Sequence, residues 1–261
     1  MDVVRWTIDE RGICCIEIDD PGNKNMFSSG VIQGLCDAFD HLTAIDTCKV
    51  VVLYGVGNYF LTGGTRSILE QINAREITFA DLDMYRRIVD CELPTIAAVQ
   101  GHAIGGGFNI ACAADLMVLA EEAYYCANFM NFGITPGMGA SFFIPLRMGQ
   151  ALGDEMIYTG RNYRGRELRD RGIGSQVVSA PVVVETAMRL ARNIAEKPRD
   201  MLVAFKKHQA RRIRAMFDEV IEEELALHKL HLASEETQKR IEDIFDTHSF
   251  QQPNVTKPES N

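Results

Sequence analysis

Gly105, Gly106 and Gly107 follow one another inside Gln100-Gly-His-Ala-Ile-Gly-Gly-Gly-Phe-Asn109. The run follows a buried-strand pattern, Thr95-Ile-Ala-Ala-Val99, and precedes a helix-like run, Ile110-Ala-Cys-Ala-Ala114. A strand that enters a helix through three residues without side chains admits two readings. It can be a tight turn that lets backbone pass close to backbone. It can also present bare N–H groups at a helix N-terminus, where developing negative charge is stabilised.

A second turn of the same kind lies upstream. Phe60-Leu-Thr-Gly-Gly-Thr65 follows the apolar run Val50-Val-Val-Leu-Tyr54 and precedes a helix predicted to begin near Arg66. Two strand–glycine–helix junctions can each offer one N–H to the same oxygen, and an oxyanion needs about two such donors. The pairing favours the oxyanion reading of the triplet.

The surrounding pattern predicts an α/β protein. Val3 to Ile8 and Ile13 to Ile18 read as strands joined at Glu10-Arg-Gly12. Ser28 to Leu42 reads as an amphipathic helix with Ile32, Leu35, Phe39 and Leu42 on one face. A helix is predicted over Thr78 to Val89, the inner strand over Thr95 to Val99, a helix over 107–114 and a strand over Asp115 to Ala120. Phe132-Gly-Ile-Thr-Pro-Gly-Met-Gly-Ala140 then opens a helix near Ser141. Strands alternating with helices indicate βαβ units. After about Gln150 the pattern is mostly helical: Gly149 to Tyr158, Arg164 to Arg171, Pro181 to Glu196, Arg199 to Phe217, Asp218 to His231 and Ser234 to Phe245. The expected division is a core over 1–195, a helical region over 196–245 and a disordered polar tail over 246–261.

The net charge of -9 argues against nucleic-acid binding, which needs clustered Lys and Arg. Arg161, Arg164, Arg166, Arg169 and Arg171 form either a local basic patch or a solvated face. Seven cysteines, an odd number with no CxxC spacing, suggest reduced thiols and no zinc. The stretch Met1 to Asp9 does not read as a signal peptide, and no apolar run has membrane-spanning length. The expectation is a soluble cytoplasmic protein with no metal and no membrane association.

Three segments in order, Phe60-Leu-Thr-Gly-Gly64, Pro94-Thr-Ile-Ala-Ala-Val-Gln-Gly-His-Ala-Ile-Gly-Gly-Gly107 and Gly133-Ile-Thr-Pro-Gly-Met-Gly-Ala140, resemble the crotonase (enoyl-CoA hydratase/isomerase) superfamily over roughly residues 3–245. The resemblance implies a crotonase-like ββα spiral core, a C-terminal helical trimerisation region and a homotrimer or hexamer. It implies that the backbone N–H groups of Gly64 and Gly106 hold a thioester oxygen as an enolate forms.

The departures narrow the activity. The hydratases carry two glutamates, and their positions here fall on Asn109 and at or beside Phe129. Neither residue can activate water. Tyr124 to Ala140, Asp90-Cys-Glu-Leu-Pro94, Tyr158 to Gly165 and Glu224-Leu-Ala-Leu-His228 resemble one subgroup, the decarboxylases of polyketide β-branching cassettes. That resemblance implies decarboxylation of a 3-methylglutaconyl group on an acyl carrier protein to a 3-methylcrotonyl group. No cofactor is implied beyond the carrier's phosphopantetheine.

The subgroup places a histidine near the substrate carboxylate, and the matching residue is His228. Its lysine falls near Thr78, and no lysine occurs between Thr65 and Asp90. Arg75 is the nearest basic residue in sequence and a possible carboxylate partner. Asn109 and Phe129 complete the expected substrate-binding set. His102 is expected to be a structural hydrogen-bonder. Two other activities stay open on sequence: an enoyl-CoA hydratase or isomerase, and a non-catalytic subunit of the same fold.

Overall fold

The computed structural model describes residues 2–247. Strands β1 (Val4–Ile8) and β2 (Ile13–Ile18) form an antiparallel hairpin, then α1 (Ser29–Thr43) packs back over β1. A unit of two strands and a helix then follows. β3 (Val50–Gly55) hands the chain to β4 (Tyr59–Leu61) and then to α2 (Arg66–Asn73). After α3 (Met84–Asp90), the unit recurs as β5 (Thr95–Val99), β6 (His102–Ile104) and α4 (Gly106–Ala113). It recurs again as β7 (Leu116–Ala120), β8 (Tyr124–Cys126) and α5 (Ala140–Met148).

The first strand of each unit joins one sheet and the second joins another. The larger sheet has the order β1-β2-β3-β5-β7-β10, with β10 spanning Gln176–Val178, and is parallel from β2 onward. The smaller has the order β4-β6-β8-β9, with β9 at Tyr163–Arg164. The corner between sheets is tight. A Cβ at Gly55 would lie 2.2 Å from the Tyr59 carbonyl oxygen, and one at Gly101 would lie 2.4 Å from that of Asn58. Every residue of β5 is buried, as expected of a strand covered on both faces. Helices α6 (Gln150–Thr159), α7 (Gly165–Asp170) and α8 (Val183–Ala195) complete the core, with α8 lying across β3, β5 and β7.

Three predicted elements differ from the structure. The helix expected over Thr78 to Val89 is divided into a short 3-10 turn, Phe79–Asp81, and α3. The Asp81 carboxylate accepts from the Thr78 N–H and hydroxyl, which closes the turn on itself and stops it. The two helices expected over Arg199 to His231 are one 33-residue helix, α9 (Arg199–His231). No Gly or Pro interrupts it, so nothing ends it at Phe217. The disordered tail expected over 246–261 differs at its first position. Asp246 is the last residue of α10 (Glu235–Asp246) and its carboxylate pairs with Arg66 at 2.6 Å; positions 248–261 lie outside the described residues. Among the described residues no helix is long and apolar enough to cross a membrane.

Candidate active site

The two glycine turns meet. A Cβ placed on Gly63 would sit 3.1 Å from the Ile104 carbonyl oxygen and 3.5 Å from the Gly106 nitrogen. Each residue of the triplet has its own reason to lack a side chain. Gly105 has φ +54°, which favours glycine. A Cβ on Gly107 would lie 2.0 Å from the Leu61 carbonyl oxygen, so α4 docks on β4 by its bare backbone. A Cβ on Gly106 would instead meet side chains, Met138 Cε and Phe27 Cε2, each at 2.6 Å. The packing reading of the triplet therefore holds at Gly107, while at Gly106 the missing side chain leaves room between Met138 and Phe27.

The upstream turn is fixed from outside. The Phe27 N–H donates to the Gly63 carbonyl at 2.8 Å, and the Asn25 amide donates to the Tyr59 and Phe60 carbonyls. The Thr65 hydroxyl caps α2 by accepting from the Ile68 N–H. Among the described residues neither the Gly64 N–H nor the Gly106 N–H donates a hydrogen bond. Gly106 is also the first residue of α4, where the helix dipole favours negative charge.

Gly64 and Gly106 line a cavity with Phe27, Leu69, Phe129 and Met138. No ionisable side chain lines it among the described residues. Asn109 does not line it. That side chain is fully buried, and its Nδ2 donates to the Met138 carbonyl at 2.8 Å. It holds the turn that places Met138 on the cavity wall.

A second cavity, of about 320 Å³, meets the first at a shared lining residue. Arg75, Thr78, His228 and Lys229 line it with Ile72 and Leu225, and among the described residues no acidic one does. Phe79 lines both cavities. The structure thus divides the sequence-predicted residues: Gly64, Gly106 and Phe129 belong to one chamber, and Arg75, Thr78 and His228 to the other.

Within the second chamber most polar groups are already engaged. The Arg75 guanidinium donates to the Lys229 and Leu232 carbonyls at 2.9 and 3.0 Å, so it caps the end of α9. Thr78 is held by Asp81. His228 Nε2 lies 3.0 Å from both the Thr135 and Pro136 carbonyl oxygens. Both partners are acceptors, so Nε2 carries the proton and Nδ1 is the basic nitrogen of the neutral ring. Burial depresses the His228 pKa, and the two carbonyls only partly offset this. The imidazole is therefore neutral at neutral pH.

One turn earlier on α9, Glu224 grips the other end of the same loop. Its carboxylate accepts from the Gly139 N–H at 2.8 Å, the Ser141 N–H at 3.0 Å and the Ser141 hydroxyl at 2.6 Å. Burial pushes its pKa up. Glu224 and His228 together pin the loop 135–141, which carries Met138, onto α9. Sequence reasoning passed over Glu224 and Phe79. The signal for Glu224 was its position four residues before His228 on one helix face; Phe79 carried no local signal.

The arginine run does not form a free basic patch. Arg161 and Arg171 pair with Glu155, Arg161 also with Glu167, and Arg169 with Glu121. Arg164 stacks on Tyr124 at 4.3 Å. The Tyr124 N–H donates to His102 Nδ1 at 3.0 Å, a structural bond as expected. No cluster of three or more metal-ligating side chains occurs among the described residues.

The sequence profile of the enoyl-CoA hydratase/isomerase family matches residues 9–252. The bacillaene synthase decarboxylase PksI of Bacillus subtilis is 39% identical over 236 residues, covering 90% of this chain and 95% of that protein. A solved structure from a dehydratase/decarboxylase enzyme couple involved in polyketide β-branching superposes with a TM-score of 0.91 at 39% identity, covering 93% of this chain and 99% of the other. The ECH2 decarboxylase domain of CurF from Lyngbya majuscula superposes with a TM-score of 0.89, also at 39% identity and with the same coverage.

Proposed function

The chain belongs to the enoyl-CoA hydratase/isomerase family and is a decarboxylase within it, and from that premise we propose that it decarboxylates a 3-methylglutaconyl-type thioester on an acyl carrier protein. The product is a 3-methylcrotonyl-type thioester formed during polyketide β-branching. The observation that carries this reading is a pair of N–H donors, uncommitted among the described residues, in a cavity that no described acid or base lines.

Such a cavity suits decarboxylation better than hydration. Adding water needs a group to take its proton. Loss of CO₂ needs none, because the electrons come from the bond to the departing carboxylate. They flow through the conjugated double bond to the thioester oxygen, giving a dienolate. The Gly64 and Gly106 N–H groups stabilise that oxygen as its charge grows, and the α4 dipole adds to them. The apolar walls, Phe27, Leu69 and Phe129, keep water from the reacting carbons. In this reading the acidic end of the chain points past Phe79 toward His228 and Arg75, in a chamber lined by Arg75 and Lys229 and, among the described residues, by no acid. Once CO₂ has left, the dienolate is quenched at carbon by one proton drawn from solvent, so the electron pair of the broken C–C bond ends in a C–H bond.

The test is intact-protein mass spectrometry of a 3-methylglutaconyl-carrier protein incubated with the purified chain. The expected result is the loss of the mass of one CO₂, with no gain of water. Hydration of crotonyl-CoA in a parallel absorbance assay, with no CO₂ lost, would replace this reading with the hydratase. Inactivity of a folded sample on both substrates would point to a non-catalytic subunit.

A further inference from the structure

We propose that Phe79 is the specificity-determining residue of this site, the partition that sets how long an acyl chain can reach from the oxyanion donors to His228. The inference rests on the decarboxylase reading and adds to it a residue that measures the substrate. Among the described residues Phe79 is the one common to the walls of the two chambers, and it is buried. Its ring lies 5.0 Å from the His228 ring, centroid to centroid, at 46°. Oxyanion donors stand on one side of it and the cationic chamber on the other.

The ring is held from behind. A Cβ on Gly137 would lie 2.7 Å from Phe79 Cδ2 and 3.1 Å from His228 Cε1. Any side chain at 137 therefore pushes both rings. From its own chain Phe79 is held by the closed Thr78–Asp81 turn, which Arg75 anchors to the end of α9. The partition thus sits on a short turn fixed at its start, with its ring against a glycine. An acyl chain bound at Gly64 and Gly106 meets this ring before its far end meets His228. A chain of matching length places its carboxylate at the ring's edge; a longer one must displace the ring.

Unreactive ligands test this apart from the chemistry. Glutaryl-, adipyl- and pimelyl-pantetheine carry one carboxylate on chains of increasing length and cannot form the dienolate. Their dissociation constants are measured by calorimetry for the wild type, Phe79→Ala and Gly137→Ala, alongside CO₂ release from the 3-methylglutaconyl thioester. The wild type is expected to prefer glutaryl over pimelyl by about tenfold, the scale of a methylene or two in an apolar pocket. Phe79→Ala is expected to abolish or invert that order, and Gly137→Ala to sharpen it. Circular dichroism confirms the fold of each variant, and Gly137→Ala keeps the test open if Phe79→Ala does not fold. An unchanged order in a folded variant, with wild-type CO₂ release intact, overturns the role of Phe79 alone. Absence of both CO₂ release and binding in the wild type overturns the underlying reading as well.

Discussion

Glu224→Ala tests the claim that α9 holds the cavity floor. The carboxylate is 3% exposed and accepts three hydrogen bonds, at 2.8, 3.0 and 2.6 Å. Hydrogen bonds to a charged group contribute about 1.5–3 kcal/mol each, and a buried donor left without a partner costs about 1–3 kcal/mol. Removing the side chain also removes the cost of burying a carboxylate, which the raised pKa of Glu224 reflects. The net loss is about 3 kcal/mol, below the simple sum. Glu224→Gln keeps one acceptor but turns an amide N–H toward a donor, at a cost of about 1.5 kcal/mol. For a chain of this size each kcal/mol moves Tm by roughly 2–4 °C, so Glu224→Ala is expected near 10 °C below wild type. The assay is thermal unfolding by circular dichroism, with Ser141→Ala and the double variant completing a cycle. Ser141→Ala is expected to cost little once Glu224 is gone, because its hydroxyl then has no carboxylate to meet. A Glu224→Ala shift within about 0.5 kcal/mol of zero would refute the reasoning, since that is the scale of an unremarkable surface change.

Two further predictions concern the site itself. Gly106→Ala directs its methyl at Met138 Cε and Phe27 Cε2, which are side-chain tips, so it should fold and lose about 100-fold in decarboxylation kcat/KM. Gly107→Ala meets the Leu61 backbone and should fail to give soluble folded protein; comparing the two by circular dichroism and CO₂ release checks both outcomes. The pH dependence of stability follows from His228. Its folded pKa lies below the ordinary value of 6.5, so between the two values the unfolded chain binds the extra proton. Stability should therefore fall as pH drops through 6.5 toward the folded pKa. His228→Gln, which keeps a donor toward the Thr135 and Pro136 carbonyls, should flatten that slope in urea unfolding midpoints taken on both sides of the window.

The sequence made the core of this fold legible where its signals are local. The apolar runs of β3 and β5, the glycine turns and the amphipathic α1 all lie where periodicity predicts. The smaller sheet did not show, because its strands span two or three residues and offer no period to read. The division of the site between two chambers was equally hidden. It depends on where α9 returns, and on a Phe79 ring whose neighbours lie 58 and 149 positions away, at Gly137 and His228. Arg75 was legible as a cation near the site, but its partners are backbone carbonyls that no sequence pattern marks. Asn109 was legible as the loss of a carboxylate; its bond to Met138 was not.

The continuity of α9 makes it a phase standard. Lys206 near one end binds the Asp115 carboxylate, which also holds Thr95 at the start of β5. Glu224 lies about five turns along the same face, and His228 one turn further. The rotation of the helix at the sheet therefore fixes the azimuth of the two side chains at the cavity. One residue inserted between Lys206 and Glu224 would turn both by about 100°, since each residue advances the helix by that angle. The length of this segment, counted in whole turns, is thus as much a part of the site as any residue that lines it.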